Sequence, residues 1–383
     1  MSIATNAWDT LAGQYQLQPG RQPGVIGQRP VLGAGKLAHL LAGQRGEQVG
    51  ATLTSVFTLC AHAHGRTAAL ARAAAHSGTY NPPAGEPPVL LYVETARDHL
   101  RAIALDWPQR QPTATVDAQA MAWLRDCPLP LATPRTPGDA STAWQTLAKL
   151  RTWLEERILH QPVPRWLSDH QQPAALADWC RAQAAQLAPA RCLANWFAPA
   201  SALTPQTRLL ELLDVDPTRQ TTQLRQLAQA LVIEPDFVQH PRWLGQCAEN
   251  GPWARLRHRP MQVSIRHTAW TRLAARWLEL MELAAATPET DRAGAAPLLS
   301  SGALALADGQ ALAWCEMARG LLLHWVQLDP AGGVLDYRVL APTEWNFHPD
   351  GALARAVAAL APDDLDSARI LAAAYDPCVA CTV

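Results

Sequence analysis

The sequence has little net charge and no long apolar run, and each shortage excludes a class of function. Its 383 residues carry 32 Lys and Arg against 33 Asp and Glu, which gives a formal net charge of −1 at pH 7. A chain without a basic excess has no electrostatic basis for binding nucleic acid or an anionic membrane. No apolar stretch approaches the roughly 20 residues that span a bilayer. We therefore expect neither nucleic acid nor a membrane among its partners.

Most of the cysteines are isolated in the sequence, with no second cysteine a few residues away. It contains 8 cysteines, and those that stand alone are Cys60, Cys127, Cys180, Cys192, Cys247 and Cys315. Free thiols survive in a reducing compartment. Residues 1–6 have neither the basic region nor the apolar run of a secretory signal. We therefore expect a cytoplasmic protein.

A Cys-x-x-Cys pair is present close to the carboxyl end, in the segment DPCVACTV at 376–383. Thiolates at this spacing can chelate zinc, hold an iron-sulfur cluster or cycle as a redox dithiol. A redox dithiol normally opens a helix, and only two residues follow this pair. A closed four-thiolate zinc site would need a second pair. The pair by itself leaves the kind of metal open.

Three segments in the same order resemble the large subunits of nickel-iron hydrogenases. The terminal thiol motif, at 376–381, is preceded by ARGLLLHW at 318–325 and by YRVLAPTEWN at 337–346. The resemblance implies that the first of these supplies an arginine over the metal site and the second a hydroxyl facing the diatomic ligands of the iron. It also implies that an aspartate holds the terminal thiols near the site. The residues at these positions are Arg319, Thr343 and Asp376.

A fourth segment, FTLCAHAH at 57–64, lies where the large subunits carry their first thiol pair. Cys60 matches the first thiol, and Ala63 stands where the second would bridge nickel and iron. The resemblance therefore implies three metal ligands, Cys60, Cys378 and Cys381, with one bridge missing.

Other residues that the catalytic large subunits carry are also missing from this sequence. Thr67 occupies the position of an expected histidine, and residues 24–28 offer no match to the glutamate that transfers protons in the enzymes. The large-subunit motif also continues beyond the last thiol to a histidine, which this sequence does not have. His62 and His64 could replace lost ligands, but residues two apart on a helix face different ways, so at most one should reach the metal.

This incomplete set resembles the large-subunit-like accessory proteins of hydrogenase gene clusters, of the HupK/HoxV type. The resemblance implies a non-enzymatic maturation factor, a scaffold or carrier for the Fe(CN)2(CO) unit. Iron would be bound transiently in this form, and nickel is not expected. The implied partners are the hydrogenase maturation chaperone complex and the apo large subunit. Two alternatives stay open, a divergent catalytic large subunit and a metal-free docking module for maturation factors.

The apolar pattern predicts a mainly α chain (α+β), and the resemblance adds that the helical core is like that of a hydrogenase large subunit. Alternating apolar runs around turn residues at 302–340 predict a small antiparallel sheet near the C-terminus. Proline clusters interrupt the pattern without forming a linker, so we expect one domain over residues 1–383. The predicted helices are Gly35–Leu41, Gln48–Ala75, Leu90–Asp106, Ser141–Leu159, Ala174–Phe197, Thr204–Val215, Gln220–Leu231 and Thr268–Ala286.

Overall fold

The structure is a computed structural model, and it describes residues 12–33, 35–78, 88–111, 121–132, 138–213, 216–256, 267–292, 297–307 and 309–383. It is mainly helical, with two small sheets, which confirms the predicted fold class. The principal helices are α1 (Lys36–Leu41), α2 (Glu47–Val56), α3 (Ala61–Ser77), α4 (Val89–Arg101), α5 (Ala140–Leu154), α6 (Val163–His170), α7 (Pro173–Gln183), α8 (Ala188–Ala202), α9 (Pro217–Ile233), α10 (Pro252–Leu256), α11 (Ala269–Ala285), α12 (Pro288–Arg292), α13 (Pro342–Asn346), α14 (Ala352–Ala358) and α15 (Leu365–Tyr375). The strands are β1 (Gln14–Leu17), β2 (Val25–Gln28), β3 (Ser301–Ala307), β4 (Gln310–Met317), β5 (Gly320–Leu328), β6 (Val334–Leu340) and β7 (Ala380–Thr382).

Helix α11 lies at the centre of the helical part. It begins with a capping box in which the backbone N–H and hydroxyl groups of Thr268 and Thr271 pair reciprocally. It is buried on nearly all sides and packs against α4, α5, α8 and α15. A helix buried all round belongs to a core. Its two buried arginines, Arg272 and Arg276, are therefore held deep inside the protein.

Helix α3 packs against the sheet and carries the first predicted ligand at its start. Its alanines at positions 63, 68, 71 and 74 are buried, and the helix contacts β3, β4 and β5. Alanine has a small side chain, which lets the helix lie close to the strands. Cys60 stands at the N-cap of α3, at the end of a short 3₁₀ turn, Thr58–Cys60.

The larger sheet has the order β3-β4-β5-β6 and is antiparallel throughout. The two-residue turn between β4 and β5 contains Arg319. Gly320 follows it with a φ of +134°, and a Cβ atom there would lie 1.5 Å from Asn250 Oδ1. That oxygen accepts a hydrogen bond from Leu321 N at 3.1 Å. The turn that carries Arg319 is therefore fixed by a contact that only glycine allows.

The smaller sheet joins the two ends of the chain, in the order β2-β1-β7. β1 pairs antiparallel with β2 and parallel with β7, and Tyr15 lies opposite Cys381. The sequence pattern did not predict these strands, because runs of three or four residues carry little periodicity. The pairing of β1 with β7 brings residues 14–16 beside the segment of Cys381.

One predicted helix, Thr204–Val215, is wrong. Residues 204–213 are irregular, and residues 214 and 215 lie outside the described part of the chain. Leu210 N donates to Glu249 O at 2.8 Å, and Glu249 N donates to Arg208 O at 2.9 Å. These long-range backbone bonds replace the helical ones. Asp216 then caps α9 by accepting from Thr218 N.

Two other predicted helices are each divided into two. The Gln48–Ala75 prediction is interrupted around residues 57–60, and the Ala174–Phe197 prediction around residues 184–187. The turn predicted at residues 308–309 includes residue 308, which lies outside the described residues. Among the helices described, none is both long and apolar enough to span a bilayer.

Candidate metal site

Two of the three predicted thiols, Cys60 and Cys378, are close enough to interact electrostatically. Cys60 precedes α3, and Cys378 follows α15. Burial raises the pKa of the Cys60 thiol, and the charge of Cys378 raises it further. Thr343 Oγ1, in the first turn of α13, lies 3.2 Å from Cys378 Sγ. Because a metal must displace the thiol protons, metal binding here should depend on pH.

Arg319 is a buried cation beside this thiol pair. Its Nη1 donates to Asp98 Oδ2 at 2.9 Å, and its Nε lies 3.3 Å from Asp376 Oδ2. Burial opposes its charge, but Asp376, Asp98, Cys378 and Cys60 together hold its pKa above the ordinary value. The structure thus places the predicted arginine close to the predicted ligands, with its charge retained.

Asp376 fixes the point at which the chain leaves α15 toward the thiols. It has a left-handed φ of 43°, and its backbone N donates to Ala372 O at 2.9 Å. Its carboxylate lies 3.1 Å from Arg276 Nη1, in addition to the contact with Arg319. Burial would raise its pKa, but the two arginines hold it below the ordinary value. The aspartate is therefore an ionised anchor between two buried cations.

Cys381 has different surroundings. It lies on β7 opposite the core-facing Tyr15 and is half-buried. Burial raises the pKa of its thiol to about 11, and the charge that opposes this shift belongs to Arg110. Across the described ranges, no three His, Cys, Asp or Glu side chains are grouped so as to hold a metal ion. The three-thiol site stays a prediction.

The two candidate histidines point to different surroundings, as the helix geometry predicts. His64 Nδ1 lies 3.0 Å from His324 Nε2, and its ring stacks on Phe57 with centroids 3.9 Å apart. His324 Nδ1 is in turn 2.7 Å from Tyr337 Oη. Burial, with the charges of two nearby arginines, lowers the pKa of His62 to about 4. His64 is therefore part of a buried network against the sheet.

That network should make stability depend on pH. Burial lowers the pKa of His324 from its ordinary 6.5 to about 3. Between these values the unfolded chain binds a proton that the folded chain does not, so the free energy of unfolding should decrease as the pH falls from about 6.5 to about 3. Chemical unfolding at several pH values should show a shallower dependence for His324→Gln. The matched control His39→Gln changes an exposed ring, so its free energy of unfolding should depend on pH as that of the wild type does. The same pH dependence in all three proteins would contradict the prediction.

Glu94 is a buried residue near the N-cap Cys60 that the sequence did not suggest. It lies on α4, and its two carboxylate oxygens accept from His62 N at 2.8 Å and from Ala63 N at 2.9 Å. Cys60 has no capping side chain of its own, so Glu94 caps α3 from a neighbouring helix. Burial and the charge of Asp98 raise its pKa to about 8. Because this cap comes from another helix, no local sequence pattern indicates it.

Arg29 and Glu344 were also missed. Arg29 is buried, its Nη1 lies 3.6 Å from Glu344 Oε1, and its guanidinium lies 5.5 Å from the centroid of the Phe57 ring. Tyr15 Oη donates to the same Glu344 oxygen at 3.5 Å. A cavity of about 10 Å³, room for about one water, borders Tyr15, Arg29 and Glu344. The only indication of them in the sequence was that Glu344 directly follows the predicted site residue Thr343.

The fold agrees with comparisons to known proteins. Residues 259–383 match the family described as nickel-dependent hydrogenase. A solved chain of an NAD+-reducing [NiFe]-hydrogenase in the H2-reduced state is similar with a TM-score of 0.53 and 15% identity, over 92% of each chain. At that identity the likeness concerns the fold alone, and it supports the predicted large-subunit-like core.

Two curated relatives cover nearly the whole chain. The hydrogenase expression/formation protein HoxV of Cupriavidus necator is 40% identical over 97% of this chain and 95% of its own length. The hydrogenase expression/formation protein HupK of Azotobacter vinelandii is 28% identical over 97% of this chain and 98% of its own length. The chain therefore belongs to the family of hydrogenase expression/formation proteins that includes HoxV and HupK. The predicted resemblance is confirmed.

Proposed function

We propose that this protein takes part in the formation of a nickel-iron hydrogenase as a scaffold or carrier for the Fe(CN)2(CO) unit. The unit would arrive from the maturation chaperone complex and pass to the apo large subunit, in the cytoplasm. The observation that carries the proposal is the contact of 3.2 Å between Thr343 Oγ1 and Cys378 Sγ, with the buried Arg319 close enough for the charges of Cys378 and Cys60 to act on it. The family of expression/formation proteins supports a role in assembly rather than in catalysis.

The residues at the site suit the chemistry of this cargo. Thiolates are soft ligands that hold iron well, and Cys60 and Cys378 would supply two of them. Cyanide and carbonyl ligands need hydrogen-bond donors around them. Arg319 and the Thr343 hydroxyl, 3.2 Å from Cys378 Sγ, lie where they could donate. Cys381 would add a third ligand from β7.

The departures from the enzyme pattern support a carrier. Ala63 supplies no bridging thiol, and its carbonyl oxygen accepts a hydrogen bond from Thr67 Oγ1 at 2.6 Å. Thr67 therefore uses its hydroxyl within α3 rather than at the site. Fewer thiolates should bind the iron more weakly and leave coordination positions open, which suits a protein that must release its cargo. On this proposal nickel is not required.

Infrared spectroscopy tests the proposal directly. The protein would be purified without oxygen from cells that contain the maturation machinery, and iron and nickel would be measured by elemental analysis. We expect bands from iron-bound cyanide and carbonyl, with iron present and nickel absent. Nickel at one ion per chain would favour a divergent catalytic subunit. Absence of both iron and bands would favour a metal-free docking module.

The strand pairing of Cys381 predicts an unequal contribution of the thiols. We expect Cys381→Ala to lower the iron content per chain less than Cys60→Ala does, because Cys381 lies on β7 opposite Tyr15 and its thiol pKa is shifted by burial and Arg110, whereas the charge of Cys378 acts on Cys60. Elemental analysis of the two variants, purified in parallel, measures the difference. Equal losses would show that Cys381 is a full ligand and that β7 must rearrange when the cargo binds.

A further inference from the structure

A second buried cation, Arg29, contacts segments that adjoin the predicted site, and they are different segments from those that Arg319 contacts. Its contacts are Phe57, which precedes the turn of Cys60, and Glu344, which follows Thr343 on α13. Arg319 contacts Asp98 and Asp376 instead. The charges of Cys378 and Cys60 both act to raise the pKa of Arg29, although burial opposes this. Both thiols are therefore within the electrostatic reach of both guanidinium groups.

The guanidinium of Arg29 retains an unused donor. Only 5% of the residue is exposed, and its buried Nε has no hydrogen-bond partner among the described residues. Its neighbour Glu344 is 3.6 Å away, which is longer than a direct hydrogen bond. A buried donor without a partner costs free energy unless a ligand satisfies it. The position of Arg29 therefore indicates a missing acceptor on its side of the site.

The cargo of the proposed function would supply such an acceptor. An iron(II) ion with two cyanides and one carbonyl is neutral overall, so each coordinating thiolate adds one negative charge. Among the described residues, Arg319 is paired with two carboxylates, whereas Arg29 is paired with one, that of Glu344. Charge-assisted hydrogen bonds to an anion are stronger than neutral ones. Arg29 is thus the less compensated cation beside a site that becomes negative on loading.

We propose that Arg29 is a positioning residue for the iron unit, whose Nε–H donates to a cyanide ligand on the side of the site away from Arg319's carboxylate partners. This inference rests on the proposed function and adds a residue that the sequence pattern did not include. Nothing in the segment at 24–28 matches the enzymes, and Arg29 immediately follows it. The N-terminal segment would thus hold the cargo by a hydrogen bond.

The test compares full-length wild type, Arg29→Met and Arg29→Lys, purified without oxygen from cells that contain the maturation machinery. We expect Arg29→Met to carry roughly tenfold less iron per chain, because a charge-assisted hydrogen bond is lost. Arg29→Lys keeps the charge but not the Nε–H, so it should retain most of the iron and show displaced cyanide bands. Arg21→Met, which changes an exposed arginine of the same segment, should match the wild type.

The outcomes separate this inference from the proposed function. If the wild type itself carries neither iron nor cyanide bands, the proposed function fails, and the inference fails with it. If the wild type is loaded and Arg29→Lys has wild-type cyanide bands, only the role of Arg29 is overturned. Wild-type iron content in Arg29→Met would overturn it as well. Thermal unfolding shows whether Arg29→Met is folded; if it is not, the bands of Arg29→Lys decide.

Discussion

Cys378→Ala should remove the iron unit and with it the ability to support hydrogenase formation. The thiol lies 3.2 Å from the Thr343 hydroxyl, and its charge acts on Cys60 and on Arg319, so it links the predicted site residues. We expect a loss of bound iron of at least about 100-fold, since mutations of groups that merely support a metal ligand already cost about 10- to 100-fold. Iron content, infrared bands and hydrogenase activity in cells carrying only the variant measure the effect.

A matched control separates the loss of a ligand from the loss of any thiol. Cys127 is also half-buried, and its Sγ donates to the nearby Leu129 O at 3.7 Å. Cys127→Ala should keep wild-type iron content and activity. If cells with both Cys378→Ala and Cys381→Ala still form fully active hydrogenase, the carrier function is wrong and the docking module becomes the better interpretation.

Asp376→Asn should cause the largest loss of stability among the site variants. The carboxylate lies between Arg276 and Arg319, both buried, and asparagine leaves part of their charge uncompensated. Removing one partner of a buried ion pair costs about 3–5 kcal/mol, and we expect about 3 because asparagine still accepts a hydrogen bond. Asparagine also tolerates the left-handed φ of 43° at this position. Chemical unfolding measures the change in the free energy of unfolding.

The control for this prediction lies on the same helix. Asp366, in the first turn of α15, forms an exposed ion pair with Arg369. Asp366→Asn should change the free energy of unfolding by less than about 0.5 kcal/mol, because exposed ion pairs contribute little. Equal effects of the two substitutions would contradict the role given to the buried network. Asp376→Asn should also lower the iron content, since the same carboxylate fixes the segment that leads to Cys378.

Regular elements with strong local patterns were predictable. The Thr268–Ala286 prediction agrees with α11 to within a residue at each end, because the apolar positions and the capping threonine lie within one short window. Two hairpins of the larger sheet, β3-β4 and β5-β6, were predicted for the same reason. The Thr204–Val215 helix was not formed, because residues 208–210 pair with Glu249, a partner that is distant in sequence. Local periodicity carries no information about such a competitor.

The sequence by itself determined the family, through the motifs around Cys60, Arg319, Thr343 and the terminal thiols, and it determined most of the helices and hairpins. Only the tertiary structure decided that Thr343 contacts Cys378, that β7 pairs with β1 and holds Cys381 opposite Tyr15, and that Arg29 contacts Phe57 and Glu344. The physical reason is the range of the interactions. Periodicity and capping act within a few residues, whereas the burial and charge of a site come from side chains that only packing brings together.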